Sequence, residues 1–139
     1  MILLDTDVLS ALMQSAPDPA VVRWLDLEEP TQVWTTAITV FEIRFGLSRL
    51  PEGARRRALE SASDTLIGSE FAGRIAPVDR NAAEAAGRLA TERAAKGRPV
   101  DVLDTLMAGV AISRRAAVAT RNLRHFSDLD IPAMDPWAF

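Results

Sequence analysis

The chain is 139 residues long, 48% hydrophobic and 25% charged, with a formal net charge of −3. This composition predicts one folded domain over residues 1–139. It contains no cysteine and a single histidine, His125, which excludes disulfides, thiolate metal sites and a histidine pair on zinc. Nineteen acids against sixteen bases leave carboxylates as the main chemical resource. The slight acidity does not exclude nucleic acid, because charge can be local, and all the cations but Lys96 are arginines, the better fork for phosphate.

The elements alternate along the chain. Residues 1–4 form a short apolar run that reads as a buried strand, and residues 8–14 read as a helix, broken by Pro17-Asp18-Pro19. Residues 20–28 carry Val21, Trp24 and Leu25 at helical spacing. Residues 32–36 are β-branched and aromatic, which predicts a strand. Residues 39–50 predict a helix with Phe41, Phe45, Ile43, Leu47 and Leu50 on its apolar side. Pro51 opens the next helix at its first turn, running to residue 66. Residues 74–78 predict a third strand, and residues 81–96 an alanine-rich helix stopped by Gly97. A further helix over 102–115, a strand over 117–120 and a fifth strand over 131–134 complete the pattern. Alternation of this kind predicts an α/β fold: three α/β/α layers around a mainly parallel sheet of about five strands. No uncharged run exceeds the twelve residues from Pro30 to Phe41, against the ~20 needed to span a membrane. The N-terminal apolar stretch has no basic flank and is interrupted by Asp5 and Asp7, so no signal peptide and a cytoplasmic location are expected.

Ligands of open α/β sheets bind beyond the strand C-termini, and acids gather there. Asp5 and Asp7 follow the first strand, Glu42 follows the second, and Asp104 opens the helix before the fourth. Thr120-Arg121-Asn122 follows that fourth strand. Each acid also has a local explanation, since carboxylates favour helix N-termini by ~0.3–1 kcal/mol. Thr39-Val40-Phe41-Glu42 has the spacing of a capping box, Asp101 caps the helix of Asp104, and Asp79 caps the alanine-rich helix. Together, converging acids repel by about 4 kcal/mol per pair at 4 Å and an effective dielectric near 20, and a divalent cation can offset this. A site of oxygen donors without His or Cys suggests Mg²⁺ or Mn²⁺, ions that activate water and neutralise a phosphodiester.

These residues resemble a known family. The opening Met1-Ile2-Leu3-Leu4-Asp5-Thr6-Asp7-Val8-Leu9-Ser10 is similar to that of PIN-domain ribonucleases. Ala37-Ile38-Thr39-Val40-Phe41-Glu42-Ile43-Arg44-Phe45-Gly46 is similar to their second acidic motif, Asp104 with Leu106-Met107-Ala108 to the third, and Val118-Ala119-Thr120-Arg121-Asn122 with Phe126 to the fourth. Asp135-Pro136-Trp137 resembles the ending of VapC toxins of the FitB-like branch. The match spans essentially the whole chain.

The resemblance implies a metal-dependent endoribonuclease that cleaves RNA phosphodiester bonds with metal-activated water. It also implies a toxin that dimerises and is restrained by a VapB-type antitoxin, with higher hetero-oligomers available to the pair. It assigns Asp5, Glu42 and Asp104 to the acidic triad, with Asp5 and Asp104 on the metal, Glu42 completing the shell or orienting water, and Asp7 and Asn122 further out. Two positions depart from the pattern: Asp7 stands where the family often has Asn, and Asn122 where it often has a fourth acid. Thr6 and Thr120 are expected to hydrogen-bond carboxylates or phosphate, and Arg121 to meet a phosphate or a local acid. His125 is expected to be solvated or paired locally with its polar loop, and Arg55-Arg56-Arg57 to form a solvated face. Trp24, Trp34, Phe41, Phe45 and Trp137 are expected in the core or at an interface. Two alternatives compete: a noncatalytic partner-binding α/β module, and a haloacid-dehalogenase-type phosphatase with Asp5 as nucleophile.

Overall fold

A computed structural model describes all residues, 1–139. Five strands form one wholly parallel sheet in the order β3-β2-β1-β4-β5. They are β1 Ile2–Leu4, β2 Val33–Thr36, β3 Ile75–Ala76, β4 Ala117–Ala119 and β5 Ala133–Met134. Six helices connect them: α1 Thr6–Leu12, α2 Pro19–Asp26, α3 Ala37–Ser48, α4 Ala54–Thr65, α5 Arg80–Ala95 and α6 Val102–Arg114. No helix is long and apolar enough to cross a membrane.

Period-two alternation on the central strands divides the interior into two layers. Leu3 and Val118, paired across β1 and β4, point to one face, where they pack with Ala82, Leu89, Met107 and Phe126. Leu4 and Ala119, the next pair, point to the other, with Val8, Trp24, Ile43 and Leu47. Helices α5 and α6 therefore cover one face, while α1, α2, α4 and the Ile43 and Leu47 side of α3 cover the other. This is the expected three-layer α/β/α arrangement, with the sheet buried on both sides as parallel sheets require.

The chain lays β2 and then β3 on one side of β1 before returning to place β4 and β5 on the other. The order therefore reverses between β1 and β4, and the crevice at their C-terminal ends is where ligands of such sheets bind.

Several boundaries differ from the sequence expectation for identifiable reasons. Asp5 accepts from the Thr6 amide as N-cap, so α1 begins at Thr6. Helix α3 begins at Ala37, because the Thr36 hydroxyl takes the Thr39 amide. The Thr39–Glu42 capping box is thus not formed. Helix α4 starts at Ala54 after Gly53, whose φ is 156°, and Pro51 lies outside it. A π-helical turn, Leu66–Glu70, extends its far end. Of the apolar positions on α3, Ile43 and Leu47 are buried. Phe41 and Phe45 are each 53% exposed and stack on each other at 6.0 Å, so they belong to the surface and not the core.

The α5–α6 contact depends on small residues. A Cβ at Gly109 would lie 2.4 Å from the Ala82 carbonyl oxygen and 2.7 Å from the Ala86 Cβ, so the two helices approach only because position 109 has no side chain. Gly109→Ala is expected to force them apart and cost about 1–3 kcal/mol, despite alanine's better helix propensity. Denaturant titration checks this, and an unchanged midpoint would refute the close-approach account.

Candidate functional site

The residues beyond β1 and β4 interlock. Asp5 continues the ladder by donating its amide to the Ala119 carbonyl at 3.0 Å. One of its carboxylate oxygens accepts from the Thr6 amide and the other from the Thr120 hydroxyl, both at 2.8 Å. The Thr120 hydroxyl in turn accepts the Asn122 amide at 3.0 Å. Asp7 accepts from the Val8 amide at 2.8 Å and from the Arg121 amide at 2.9 Å, and the Asn122 side-chain amide donates to it at 3.4 Å. Arg121 itself lies over the Trp137 ring, 4.6 Å from its centroid. Its guanidinium is therefore held by an aromatic face, and no acid pairs with it.

Glu42 projects from α3 and accepts the Thr6 hydroxyl at 2.8 Å. Asp104 lies in the first turn of α6. Its own amide donates to the capping Asp101 at 2.9 Å, and its carboxylate lies 3.1 Å from His125 Nδ1. The floor beneath these groups is a set of fully buried threonines, Thr35, Thr36, Thr39 and Thr120. Thr35 and Thr39 donate their hydroxyls to the Leu4 carbonyl at 3.3 and 3.4 Å, which satisfies buried polar groups at the strand end.

The electrostatics show that the acids share one field. Burial raises Glu42 above the ordinary carboxylate range; the Thr6 hydrogen bond opposes this, and Asp5, Asp104 and Asp101 add to it. Asp104 is raised by burial, lowered by His125, and raised again by Asp101 and Asp5. Asp7 is raised by burial and by Asp5, against the Arg121 and Val8 amides. The structure thus brings Asp5, Glu42 and Asp104 to one edge within each other's field. As the side chains lie, however, no three acids converge closely enough to grip one ion. Each carboxylate is turned to its own donor: Thr120 for Asp5, Thr6 for Glu42 and His125 for Asp104. The donor set, hard carboxylate oxygens with no sulfur, fits a small divalent cation.

Asn122 sits beside Asp7 and on the Thr120 hydroxyl that also holds Asp5. The expected roles of Thr6 and Thr120 as carboxylate partners hold. The expectation for His125 does not: it pairs with Asp104, 21 positions earlier, because the 3₁₀ turn Leu123–Phe126 carries it back over the sheet edge. Placement of that turn directly after β4 was the available signal. Arg93 was also missed. It is buried on α5 and donates to both oxygens of Asp128 at 2.9 Å.

Comparison with known proteins gives this edge its family. The PIN-domain family profile matches residues 2–132. The chain belongs to the PIN-domain family. Within it the chain falls among the VapC-type toxins of the FitB-like branch. It is 33% identical over 137 residues to VapC ribonuclease Y4jK of Sinorhizobium fredii, covering 99% of this chain and 98% of that protein. It is 34% identical over 137 residues to Toxin FitB of Neisseria gonorrhoeae, covering 99% of each. The structure of FitAB bound to an IR36 DNA fragment superposes with a TM-score of 0.87 at 34% identity, covering 99% of this chain and 96% of that one. Family membership removes the haloacid-dehalogenase reading of Asp5.

Because Asp7, Glu42 and Asp104 are raised, the folded state prefers their protonated forms. Their stabilising contribution is full below the ordinary carboxylate values of 3.8 and 4.5 and is lost as pH rises through the raised ones. Glu42→Gln keeps an oxygen for the Thr6 hydroxyl and removes the charge. In chelator at pH 7 this variant is expected to melt about 1–4 °C above the parent, with the gap closing near pH 4. A gap independent of pH would contradict the shared field.

Proposed function

We propose that this PIN-domain chain is a divalent-metal-dependent endoribonuclease and the toxin of a type II toxin–antitoxin pair. The observation that carries the reading is the meeting of Asp5, Glu42 and Asp104 at the β1/β4 crevice in one electrostatic field. The ribonuclease and toxin names of its full-length relatives support the same conclusion.

Asp5 and Asp104 would hold the ion, with Glu42 completing its shell or orienting water. Mg²⁺ or Mn²⁺ bound there would neutralise the acids and supply activated water and phosphate charge neutralisation for in-line attack. The protein's own part is orientation. Thr120 fixes one Asp5 oxygen and Thr6 fixes Glu42, so the acids are held from neutral hydroxyls without losing their negative charge. His125 braces Asp104. Asp7 and Asn122 hold the turn after β4 through the Arg121 amide and each other, and so act from outside the triad.

A VapB-type antitoxin is the partner this reading requires, and a homodimer is its expected unit. The stacked Phe41 and Phe45, exposed on the same helix as Glu42, supply an apolar surface that such a partner would cover. Purified protein is expected to cleave a mixed RNA pool with Mn²⁺ or Mg²⁺ and to stop in EDTA. Asp5→Asn is expected to lower the rate by at least about 100-fold, the equivalent of losing several kcal/mol of charge stabilisation. Cleavage indifferent to both EDTA and Asp5→Asn would overturn the proposal and favour a noncatalytic binding module.

A further inference from the structure

Beside the acids, the edge opens into a cleft of about 610 Å³ between the end of α5, the start of α6 and the turn after β4. Its size lies within the ~300–1,000 Å³ range of ligand sites, yet its lining contains no hydrophobic residue. Asp104 and Asp101 share this lining with Arg93, Arg98 and Arg124. His125 sits on Asp104.

The cationic part of the lining is built. The Arg93 side chain is only 6% exposed, and besides its two bonds to Asp128 it donates to the His125 carbonyl at 2.8 Å. It thereby ties α5 to the turn that carries His125. Asp128 also receives Arg98 at 2.8 Å. Two guanidinium groups on one carboxylate leave one positive charge in surplus, and Asp128 is lowered by both arginines, Arg93 first, so it stays ionised. Arg98 is anchored by one edge of its fork and keeps further donors directed outward. Arg124, exposed on the cleft wall, makes no ion pair with any acid of the chain.

We propose that this cleft is a phosphate subsite for the RNA strand, in which Arg98 and Arg124 hold a backbone phosphate next to the one being cut. The proposal rests on the nuclease reading and adds to it the path of the strand. The absence of aromatic and aliphatic lining argues against a base-stacking pocket and against a groove for an apolar helix. An anchored arginine fork is suited to phosphate oxygens. Within the cleft the acids of α6 repel phosphate, and the exposed arginines supply the attraction. Arg93 acts as a positioning residue, since it touches Asp128 and the turn and leaves the phosphate to the two exposed arginines.

Binding measured without cleavage separates this subsite from the chemistry. A labelled single-stranded RNA oligonucleotide of mixed sequence would be titrated by fluorescence anisotropy in EDTA over a range of salt. Arg98→Ala, Arg124→Ala and, as a charge control on α2, Arg23→Ala would be compared, with thermal melts showing that each folds. Arg98→Ala and Arg124→Ala are expected to raise Kd severalfold and to flatten the plot of log K against log salt by about 0.7 for each phosphate no longer neutralised. Arg23→Ala should leave both unchanged. If the parent binds RNA with a salt slope that Arg98→Ala and Arg124→Ala do not alter, the subsite is wrong and the nuclease reading stands. The same holds if these variants loosen only a protein partner. If the parent binds no RNA in EDTA, the subsite is wrong, and the nuclease reading is decided separately by cleavage with and without Mn²⁺.

Discussion

Like-charge repulsion at the C-terminal edge of the sheet is the constraint around which this molecule is arranged. Parallel register brings the ends of β1 and β4 side by side, so Asp5 lies against Thr120. Helices α3 and α6 then deliver Glu42 and Asp104 to the same edge. In a medium of reduced dielectric such acids oppose folding, and burial and mutual repulsion raise Asp7, Glu42 and Asp104 together. What surrounds Asp5, Asp7 and Glu42 is a set of uncharged donors: the Thr6 and Thr120 hydroxyls, the Thr6, Val8 and Arg121 amides, and the Asn122 side chain; Asp104 alone has His125 beside it. The nearby arginines are committed elsewhere, Arg93 to Asp128 and Arg121 over Trp137, so neither guanidinium pairs with these acids.

The structural and functional explanations of these acids therefore describe the same groups. Asp5 caps α1 and also shares a field with Glu42 and Asp104; Asp101 caps α6 and, by taking the Asp104 amide, fixes the turn on which Asp104 is carried. A cap uses one oxygen of a carboxylate as acceptor, and the charge remains. The fold therefore gains helix starts from residues whose electrostatic cost is set by the site, which is why capping and ion binding need not compete along this edge.

Much of this was legible because it depends on local pattern. The run Ile2-Leu3-Leu4 ending at Asp5, the alternation of elements, the caps Asp79 and Asp101, and the strand-end threonines all follow from periodicity or from neighbouring residues. What escaped depends on long-range contact. Thr36 outcompeted Thr39 as the cap of α3 because the strand ended at the hydroxyl that reaches the Thr39 amide. Phe41 and Phe45 share a helix with Ile43 and Leu47, and hydrophobicity alone does not show which pair faces the sheet. The bond from His125 to Asp104 and the Arg93–Asp128 anchor join residues 21 and 35 positions apart. Only the folding of α5 and α6 over one face brings them together.

The two departures from the family pattern form a single contact. The resemblance leads one to expect an amide at position 7 and an acid at position 122, and this chain carries Asp7 and Asn122. Asn122 donates its side-chain amide to Asp7 at 3.4 Å, and the Arg121 amide reaches the same Asp7 oxygen at 2.9 Å. An acid at 122 beside Asp7 would set two carboxylates against each other where Asp5 and Asp135 already raise Asp7. Exchanging acid and amide keeps one negative charge and one donor across the crevice, and moves the charge from the turn after β4 to the first turn of α1. There it benefits from the helix N-terminus. The two positions are thus coupled: one substitution alone either doubles the charge or removes it, whereas the paired exchange preserves both the hydrogen bond and the field at the edge.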